Sequence, residues 1–204
     1  MAQTDLYHAG NRQLQEQFDS RRIADRLEEL TVHERFVEND RHFIENCDMF
    51  FLATADAEGW PDVSYKGGLP GFVRVVDDDT LAFPNYDGNG MFKSLGNVLV
   101  NPHVGLLFVD FQRPNRMRVQ GTATLSDDDP LMAEFPGAQL MVRVKAARIF
   151  PNCPRYIHKM QVLEHSVYAP KVGHAPPTPD WKRLPVFKDH LPQKGPAKFD
   201  PEEE

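Results

Sequence analysis

Short apolar runs alternate with turn residues through the middle of the chain, between Phe50 and Gly121. The turn clusters are rich in glycine, aspartate and asparagine, and such punctuation is typical of antiparallel strands and hairpins. One helix is predicted among the strands, at 90–100. The predicted strands lie at 49–55, 61–66, 71–77, 80–84, 103–111, 115–126 and 139–150.

The strand at 115–126 shows the alternation of a half-buried strand most clearly. Met117 and Val119 share one face, and Arg116 and Arg118 share the other. Six or seven strands with few helices favour a mainly β fold, a β-barrel with flanking helices. We expect the barrel to be closed, since closure removes exposed strand edges.

Helical periodicity dominates the first part of the chain. Thr31 and Glu34 have the spacing of a capping box, which predicts a second helix that runs to about residue 46 and buries Phe36, Phe43 and Ile44. We expect both helices to cover an open end or one face of the sheet. The first helix is predicted at 11–30, because apolar residues recur near the 3.6-residue period at Leu14, Phe18, Ile23, Leu27 and Leu30.

The last part of the chain is irregular. The segment 149–157 ends the last strand and is predicted to turn into a short helix. Prolines accumulate from Ala169 onward, which predicts an extended tail with a disordered end, Glu202 to Glu204. The predicted organisation is an N-terminal arm with helices (1–46), a barrel domain (47–168) and a proline-rich tail (169–204).

Composition narrows the class of protein. The 204 residues, 41% of them hydrophobic, suit one domain, and the net charge of −7 argues against general nucleic-acid binding. No apolar run reaches the ~20 residues of a membrane span, and the first residues do not resemble a signal peptide. Cys47 and Cys153 show no metal-ligand spacing. A cytoplasmic protein with two thiols is the simplest interpretation, and a disulfide is the alternative.

The start of the helix at 90–100 is the first candidate site. Asn89 and Gly90 form a helix-start signal, and Lys93 and Ser94 follow in the first turn. A helix N-terminus offers unpaired N–H groups and partial positive charge, so this turn is predicted to hold a phosphate. No glycine directly precedes the lysine, which argues against a nucleotide triphosphatase loop. The alternative is a surface helix with a glycine-rich cap.

Three further segments carry candidate chemistry. The strand 63–68 ends in lysine and two glycines, which lets the backbone approach a planar ligand. Arg116 lies on a strand face that is either solvated or able to reach across a subunit boundary. Two prolines restrain the segment 151–157, and its Arg155 is a candidate anion anchor. A nucleophilic Cys153 is less favoured, because only His158 is near in sequence to act as its base.

The order of these features resembles the pyridoxamine 5′-phosphate oxidase-like flavoproteins, the FMN-binding split barrels. The similarity extends over roughly residues 45–150. The segment 149–157 resembles a subgroup of predicted flavin-nucleotide-binding members. The segments that carry the main resemblance are Val63–Lys66, Phe83–Asn85, the Lys93 helix with Asn101–Pro102, Val104–Phe108 and Arg116–Gly121.

The resemblance implies a six- to seven-stranded antiparallel split barrel that forms a homodimer, with two FMN sites at the subunit interface. Arg116 would reach the flavin from the other subunit. The candidate substrate side of the pocket is Asn152, Cys153 and Arg155. The remaining cofactor-binding residues would be Ser64, Tyr65, Lys66, Gly67, Asn85, Asn89, Gly90, Met91, Lys93 and Ser94.

The function implied is that of an FMN-dependent oxidoreductase acting on a small molecule, with a nicotinamide as a possible electron donor. Vitamin B6 oxidation is not expected, because Trp181 to Pro185 only faintly resembles the C-terminal Trp and Arg-Leu-His motif of true pyridoxamine phosphate oxidases. No catalytic side chain and no metal is assigned. The alternatives are a non-catalytic flavin-binding or sensing protein, a deazaflavin-dependent reductase, a haem pocket and an interaction module with an empty pocket.

Overall fold

Seven strands form one antiparallel sheet in this computed structural model, which describes residues 6–174 and 176–193. The hydrogen-bonded order is β2-β1-β5-β6-β7-β4-β3. The predicted mainly β fold with flanking helices is confirmed. The strands are β1 (Met49–Ala55), β2 (Pro61–Gly67), β3 (Arg74–Val75), β4 (Thr80–Tyr86), β5 (His103–Asp110), β6 (Asn115–Ser126) and β7 (Ala138–Pro151).

The barrel is split rather than closed by hydrogen bonds. β2 and β3 are the two edges of the sheet, and within the described residues they form no ladder with each other. The expectation of a closed barrel was therefore wrong. β3 has two residues and pairs with β4. The helix α4 (Lys93–Val100) packs against β1, β2 and β6 instead.

The barrel core is built from the inward face of each strand. Phe50 is fully buried, and its ring centroid lies 4.9 Å from that of Phe83 and 5.1 Å from that of Phe108. Gly121 lies where β6 bulges against β7, and a Cβ there would be 2.1 Å from the carbonyl oxygen of Lys145. This position therefore requires glycine for steric reasons.

Three helices precede the sheet: α1 (Ala9–Gln17), α2 (Arg21–Thr31) and α3 (Glu38–Glu45). The predicted single helix at 11–30 is interrupted at Asp19, whose φ of 48° is left-handed. The capping box was also wrong. Thr31 ends α2, and its hydroxyl donates to the Leu27 carbonyl at 2.7 Å. The chain then extends, because His33 pairs with Ile149 of β7 through two backbone hydrogen bonds.

The helices differ in what they bury. Phe36 and Ile44, before and within α3, are buried as predicted, whereas Phe43 is only partly buried against the core. In contrast α1 and α2, both described in full, bury no side chain. Their four large apolar residues are between 49% and 63% exposed, and Phe18, which follows α1, is 73% exposed. The expectation that this part of the chain covers the sheet was therefore wrong for the first predicted helix.

Most strand bounds agree with the prediction to within two residues. β3 is shorter than predicted, and α4 begins at Lys93 rather than at residue 90. The predicted helix near 149–157 is absent, because β7 continues to Pro151 and the chain from 152 to 167 has no regular structure. A 3₁₀ turn (Asp180–Arg183) and a short helix, α5 (Pro185–Lys188), follow in the tail. Glu202 to Glu204 lie outside the described residues.

Candidate functional site

A cavity of about 580 Å³ lies between β2, the end of β4 and the start of α4. This volume falls within the range of about 300–1,000 Å³ that is usual for small-molecule sites. Residues from all three elements and from the loop 88–92 line it. Because β2 is an edge strand, the cavity opens at the split of the barrel.

β2 lines the cavity with a row of polar side chains. Asp62, Ser64 and Lys66 alternate along the strand and therefore project from the same face. Burial lowers the pKa of Lys66, and the nearby Asp62 carboxylate opposes this shift. The row thus carries both signs of charge within one strand.

The start of α4 faces this row. The Ser94 hydroxyl lies 2.9 Å from Ser64 Oγ and 3.2 Å from Asp62 Oδ2. A hydroxyl has one proton, so Ser94 can donate to only one of them at a time. Asn97, one turn further along, donates to Thr54 Oγ1 at 3.0 Å in the core. This buried hydrogen bond fixes α4 against β1.

The loop before α4 has an unusual backbone. Phe92, the N-cap residue, has a left-handed φ of 47°, which is uncommon for a bulky side chain. Such residues cluster at ligand sites, where the surroundings hold them in place. The Met91 N–H donates to Asn89 Oδ1 at 3.0 Å and closes the turn. Lys93 follows at the first helical position, where its charge adds to the positive potential of the helix N-terminus.

Three aromatic residues also line the cavity, Tyr65, Phe72 and Tyr86. Burial raises the pKa of Tyr86 to about 12, and burial followed by the charge of Asp48 raises the pKa of Tyr65. Gly67 lies against the Tyr65 ring, where a Cβ would approach a ring carbon to 2.6 Å.

The residues predicted from the sequence fall into two groups. We call the first the cavity group, because its ten members all line this cavity: Ser64, Tyr65, Lys66, Gly67, Asn85, Asn89, Gly90, Met91, Lys93 and Ser94. Sequence reasoning missed Asp62, Phe72 and Tyr86. Asp62 could have been found, since it continues the alternation of Ser64 and Lys66 along β2.

The second group, which we call the distal group, does not line the cavity: Arg116, Asn152, Cys153 and Arg155. The Asn152 N–H lies 3.4 Å from the Arg116 carbonyl oxygen at the paired ends of β6 and β7. Arg116 Nε and Asn152 Oδ1 are buried without a hydrogen-bond partner in the described chain. Cys153 and Arg155 are exposed. Cys47, the other thiol, is partly buried and unpaired, and burial raises its pKa to about 12.

A larger groove adjoins the cavity and extends to the chain neighbours of the distal group. It shares Tyr65, Gly67 and Tyr86 with the cavity, and Asn115 and Pro151, the chain neighbours of the distal group, also line it. The extended segment 159–170 borders this groove, held by a hydrogen bond from the Met160 N–H to the Phe111 carbonyl at 3.0 Å. His165 Nε2 lies 3.2 Å from Asp48 Oδ2.

Residues 36–167, more than half of the chain, match the model of the pyridoxamine 5′-phosphate oxidase family. The chain belongs to this family. The resemblance deduced from the sequence is therefore confirmed. No curated protein matches the chain significantly.

Similar solved structures include a proposed pyridoxamine 5′-phosphate oxidase from Lactobacillus delbrueckii, with 22% identity and a TM-score of 0.48 over 59% of this chain and 99% of that one. HupZ from Group A Streptococcus has 22% identity and a TM-score of 0.46 over 57% and 93% of the two chains. An FMN-binding protein from Syntrophomonas wolfei has 16% identity and a TM-score of 0.41 over 69% and 97%. These similarities are too distant to carry a functional conclusion.

Two further findings concern the described residues. No group of three or more histidine, cysteine or acidic side chains there could hold a metal ion. In the same residues, no helix is long and apolar enough to cross a membrane.

Proposed function

We propose that this chain binds FMN in the cavity between β2, β4 and α4 and acts as an FMN-dependent oxidoreductase on a small molecule. The observation that carries this proposal is the convergence of the ten residues of the cavity group at one cavity. They come from three separate stretches of sequence, 64–67, 85 and 89–94. Membership of the pyridoxamine 5′-phosphate oxidase family supports the same choice of cofactor.

The start of α4 fits a phosphate. The first turn of a helix presents N–H groups that have no partner within the helix, and its dipole favours an anion. Lys93 adds a full positive charge at this turn, and the Ser94 hydroxyl adds a donor. The glycines at 88 and 90 leave open space beside the loop, where an added Cβ would meet nothing within 4 Å. In our proposal these groups hold the phosphate of FMN.

The aromatic part of the cavity lining fits a planar ring system. Tyr65, Tyr86 and Phe72 supply apolar surface, and Lys66 supplies a donor whose charged form is disfavoured by burial. A donor near a ring carbonyl or ring nitrogen tunes the electronic properties of a flavin. We assign this role to Lys66 and an orienting role to Asn85, whose amide contacts Gln139 Oε1 at 3.4 Å.

When bound, FMN supplies hydride and electron transfer, and the chain supplies binding, orientation and electrostatics. No side chain of the cavity is assigned as an acid or base. The substrate is proposed to enter along the larger groove, which reaches the cavity at Tyr65 and Tyr86. A nicotinamide is the proposed electron donor.

The proposed assembly is a homodimer with the sites at its interface. The outward face of the sheet carries a cross-strand row of Tyr65, Phe51, Leu107 and Arg118. Tyr65 is 63% exposed. Aromatic residues and arginine are enriched at protein interfaces, which makes this face the candidate contact surface. A second chain would also supply partners for the unpaired Arg116 Nε and Asn152 Oδ1, which would otherwise each cost about 1–3 kcal/mol.

Steady-state turnover tests whether the protein is an enzyme. Protein loaded with FMN is mixed with NADH or NADPH, and the loss of nicotinamide absorbance is followed with and without an added quinone or dye acceptor. Sustained oxidation beyond one equivalent of nicotinamide per site supports an oxidoreductase. Tight FMN binding without turnover, with any nicotinamide or acceptor, would favour the non-catalytic flavin-binding or sensing protein instead.

A further inference from the structure

We propose that the hairpin of α1 and α2 binds the same hairpin of a second copy of this chain, with the two α2 helices antiparallel. The starting observation is an apolar stripe on α2 formed by Ile23, Leu27 and Leu30. Spacings of four and three residues place these side chains on one face of the helix. They are 58%, 49% and 63% exposed, although they are the main apolar residues of α2.

The hairpin is held together by polar contacts that leave the stripe free. Arg12 of α1 forms an ion pair with Asp25 of α2. The Tyr7 hydroxyl donates to the Ala24 carbonyl at 3.3 Å, and the Arg12 guanidinium lies 4.9 Å from the centre of the Tyr7 ring. These contacts define the mutual position of the two helices without using the stripe.

Helices of this length require a surface to pack against. α1 has nine residues and α2 has eleven. Isolated helices shorter than about 12–15 residues are marginal in water, and packing of the apolar face supplies most helix stability in proteins. Neither helix buries a side chain in the chain described at 6–174 and 176–193. The match to the family model begins only at Phe36, so this contact lies outside the matched region and does not depend on the proposed cofactor.

The charges of α2 indicate which kind of surface it binds. Its three arginines are balanced by Asp25, Glu28 and Glu29, and the whole chain has a net charge of −7. A membrane surface or a nucleic acid requires an excess of basic residues. The balance therefore favours a surface that carries both signs of charge, as α2 itself does.

The order of the charges makes α2 complementary to itself. Arg22 and Glu29 lie seven residues apart, which is about two turns, so they lie on the same side of the helix near opposite ends. Within the chain, Arg22 lies 3.6 Å from Asp19 and Glu29 lies 2.7 Å from Arg26. Both pairs are exposed and therefore weak, so Arg22 and Glu29 can exchange these partners for each other across an interface. Two antiparallel α2 helices related by a twofold axis place Arg22 of each copy against Glu29 of the other. The same operation packs stripe against stripe, as an isologous interface requires.

The stripe alone is smaller than the ~800 Å² per partner of a standard interface. We therefore place this contact within an assembly that other surfaces also hold together.

Disulfide trapping tests the contact directly. Leu27→Cys is made in a Cys153→Ser background, which removes the exposed native thiol. Mild oxidation is expected to give a covalent dimer on a non-reducing gel. Glu28→Cys is the matched control, because it is the next residue but lies off the stripe, and it should cross-link little. Both positions are solvent-accessible, and circular dichroism confirms folding.

Charge reversal tests the antiparallel arrangement. Adding Arg22→Glu to the Leu27→Cys protein should lower the yield of covalent dimer by roughly tenfold, because two exposed attractions become repulsions. Adding Glu29→Arg as well should restore it. Equal cross-linking at positions 27 and 28, or none at either, contradicts the proposal. Binding of the reduced protein to anionic lipid vesicles that Leu27→Asp abolishes, without cross-linking, would assign the stripe to a membrane surface.

Discussion

The cavity group and the distal group were both selected from the sequence, yet the fold treats them differently. Every member of the cavity group lines one cavity within a single chain, whereas no member of the distal group reaches it. The distal group instead contains two buried polar atoms, Arg116 Nε and Asn152 Oδ1, that lack a partner in the described chain. The cavity group is thus a site that one chain can form. The distal group, on our proposal, becomes functional only beside a second chain.

The largest expected effect comes from Lys93. Lys93→Ala should weaken FMN binding by roughly 10- to 100-fold, because a hydrogen bond to a charged group contributes about 1.5–3 kcal/mol. Riboflavin, which lacks the phosphate, should bind both proteins equally. Quenching of flavin fluorescence measures both affinities. Lys171→Ala is the control, since Lys171 is exposed and outside the cavity. Equal loss for FMN and riboflavin would contradict the assignment of Lys93 to the phosphate.

Mixed dimers test whether Arg116 of the distal group acts on the FMN site of the other chain. Arg116→Ala should weaken FMN binding by roughly tenfold, if it acts across the interface. A dimer of one Lys93→Ala chain and one Arg116→Ala chain contains one site with both defects and one site with neither. Random subunit exchange between equal amounts of the two variants makes about half of the dimers mixed, so tight binding should return at about a quarter of all sites. No recovery would place Arg116 outside the partner's site.

The Asp62 carboxylate should weaken FMN binding by the cavity group. Its carboxylate lies 3.2 Å from the Ser94 hydroxyl, at the helix start where we place the phosphate. Asp62→Asn removes a like charge and releases Ser94, so FMN should bind roughly three- to tenfold more tightly, as for a solvent-screened charge interaction of about 1 kcal/mol. Riboflavin affinity should not change. Weaker FMN binding in this variant would show that Asp62 organises the site rather than opposing the phosphate.

Alkaline pH gives the smallest effect. The pKa of Tyr86 is about 12 in the folded chain and near 10.0 when exposed. Its contribution to the free energy of unfolding is therefore intact below pH 10 and is lost as the pH rises from 10 to 12. Since Tyr86 is only partly buried, the loss should be on the order of 1 kcal/mol. Urea unfolding at pH 9 and pH 11.5 should show a smaller decrease for Tyr86→Phe than for wild type. Tyr156→Phe, in the exposed segment beside the distal group, should behave as wild type.

The sequence predicted the sheet well because each of its strands carries its own signal. Alternation along 115–126 and the turn clusters between strands depend only on near neighbours, and β1 and β6 begin and end where predicted. The length of β3 was overestimated. Its pairing with β4 covers only two residues, and the local sequence signals do not indicate where this pairing ends. Long-range pairing also explains the failed capping box, because the partner of His33 is Ile149, more than a hundred residues away.

The candidate site was partly predictable for the same reason. Lys93 and its glycine-rich loop could be recognised locally as a helix start. Phe72 and Tyr86 could not be assigned to the same cavity until the sheet order was known, whereas Asp62 follows from the alternation along β2. The apolar period of 11–30 was correctly read as helical, but periodicity does not reveal what an apolar face packs against. The sequence therefore did not show that the apolar stripe of α2 would be exposed.

The visible absorption spectrum of the purified protein, with mass identification of any released chromophore, tests the central claim most directly. We predict flavin absorption bands and release of FMN, or stoichiometric uptake of added FMN by protein purified without it. A colourless protein that takes up no FMN would contradict the account. In that case the cavity group would mark a pocket of another kind, and the interaction-module alternative would take precedence.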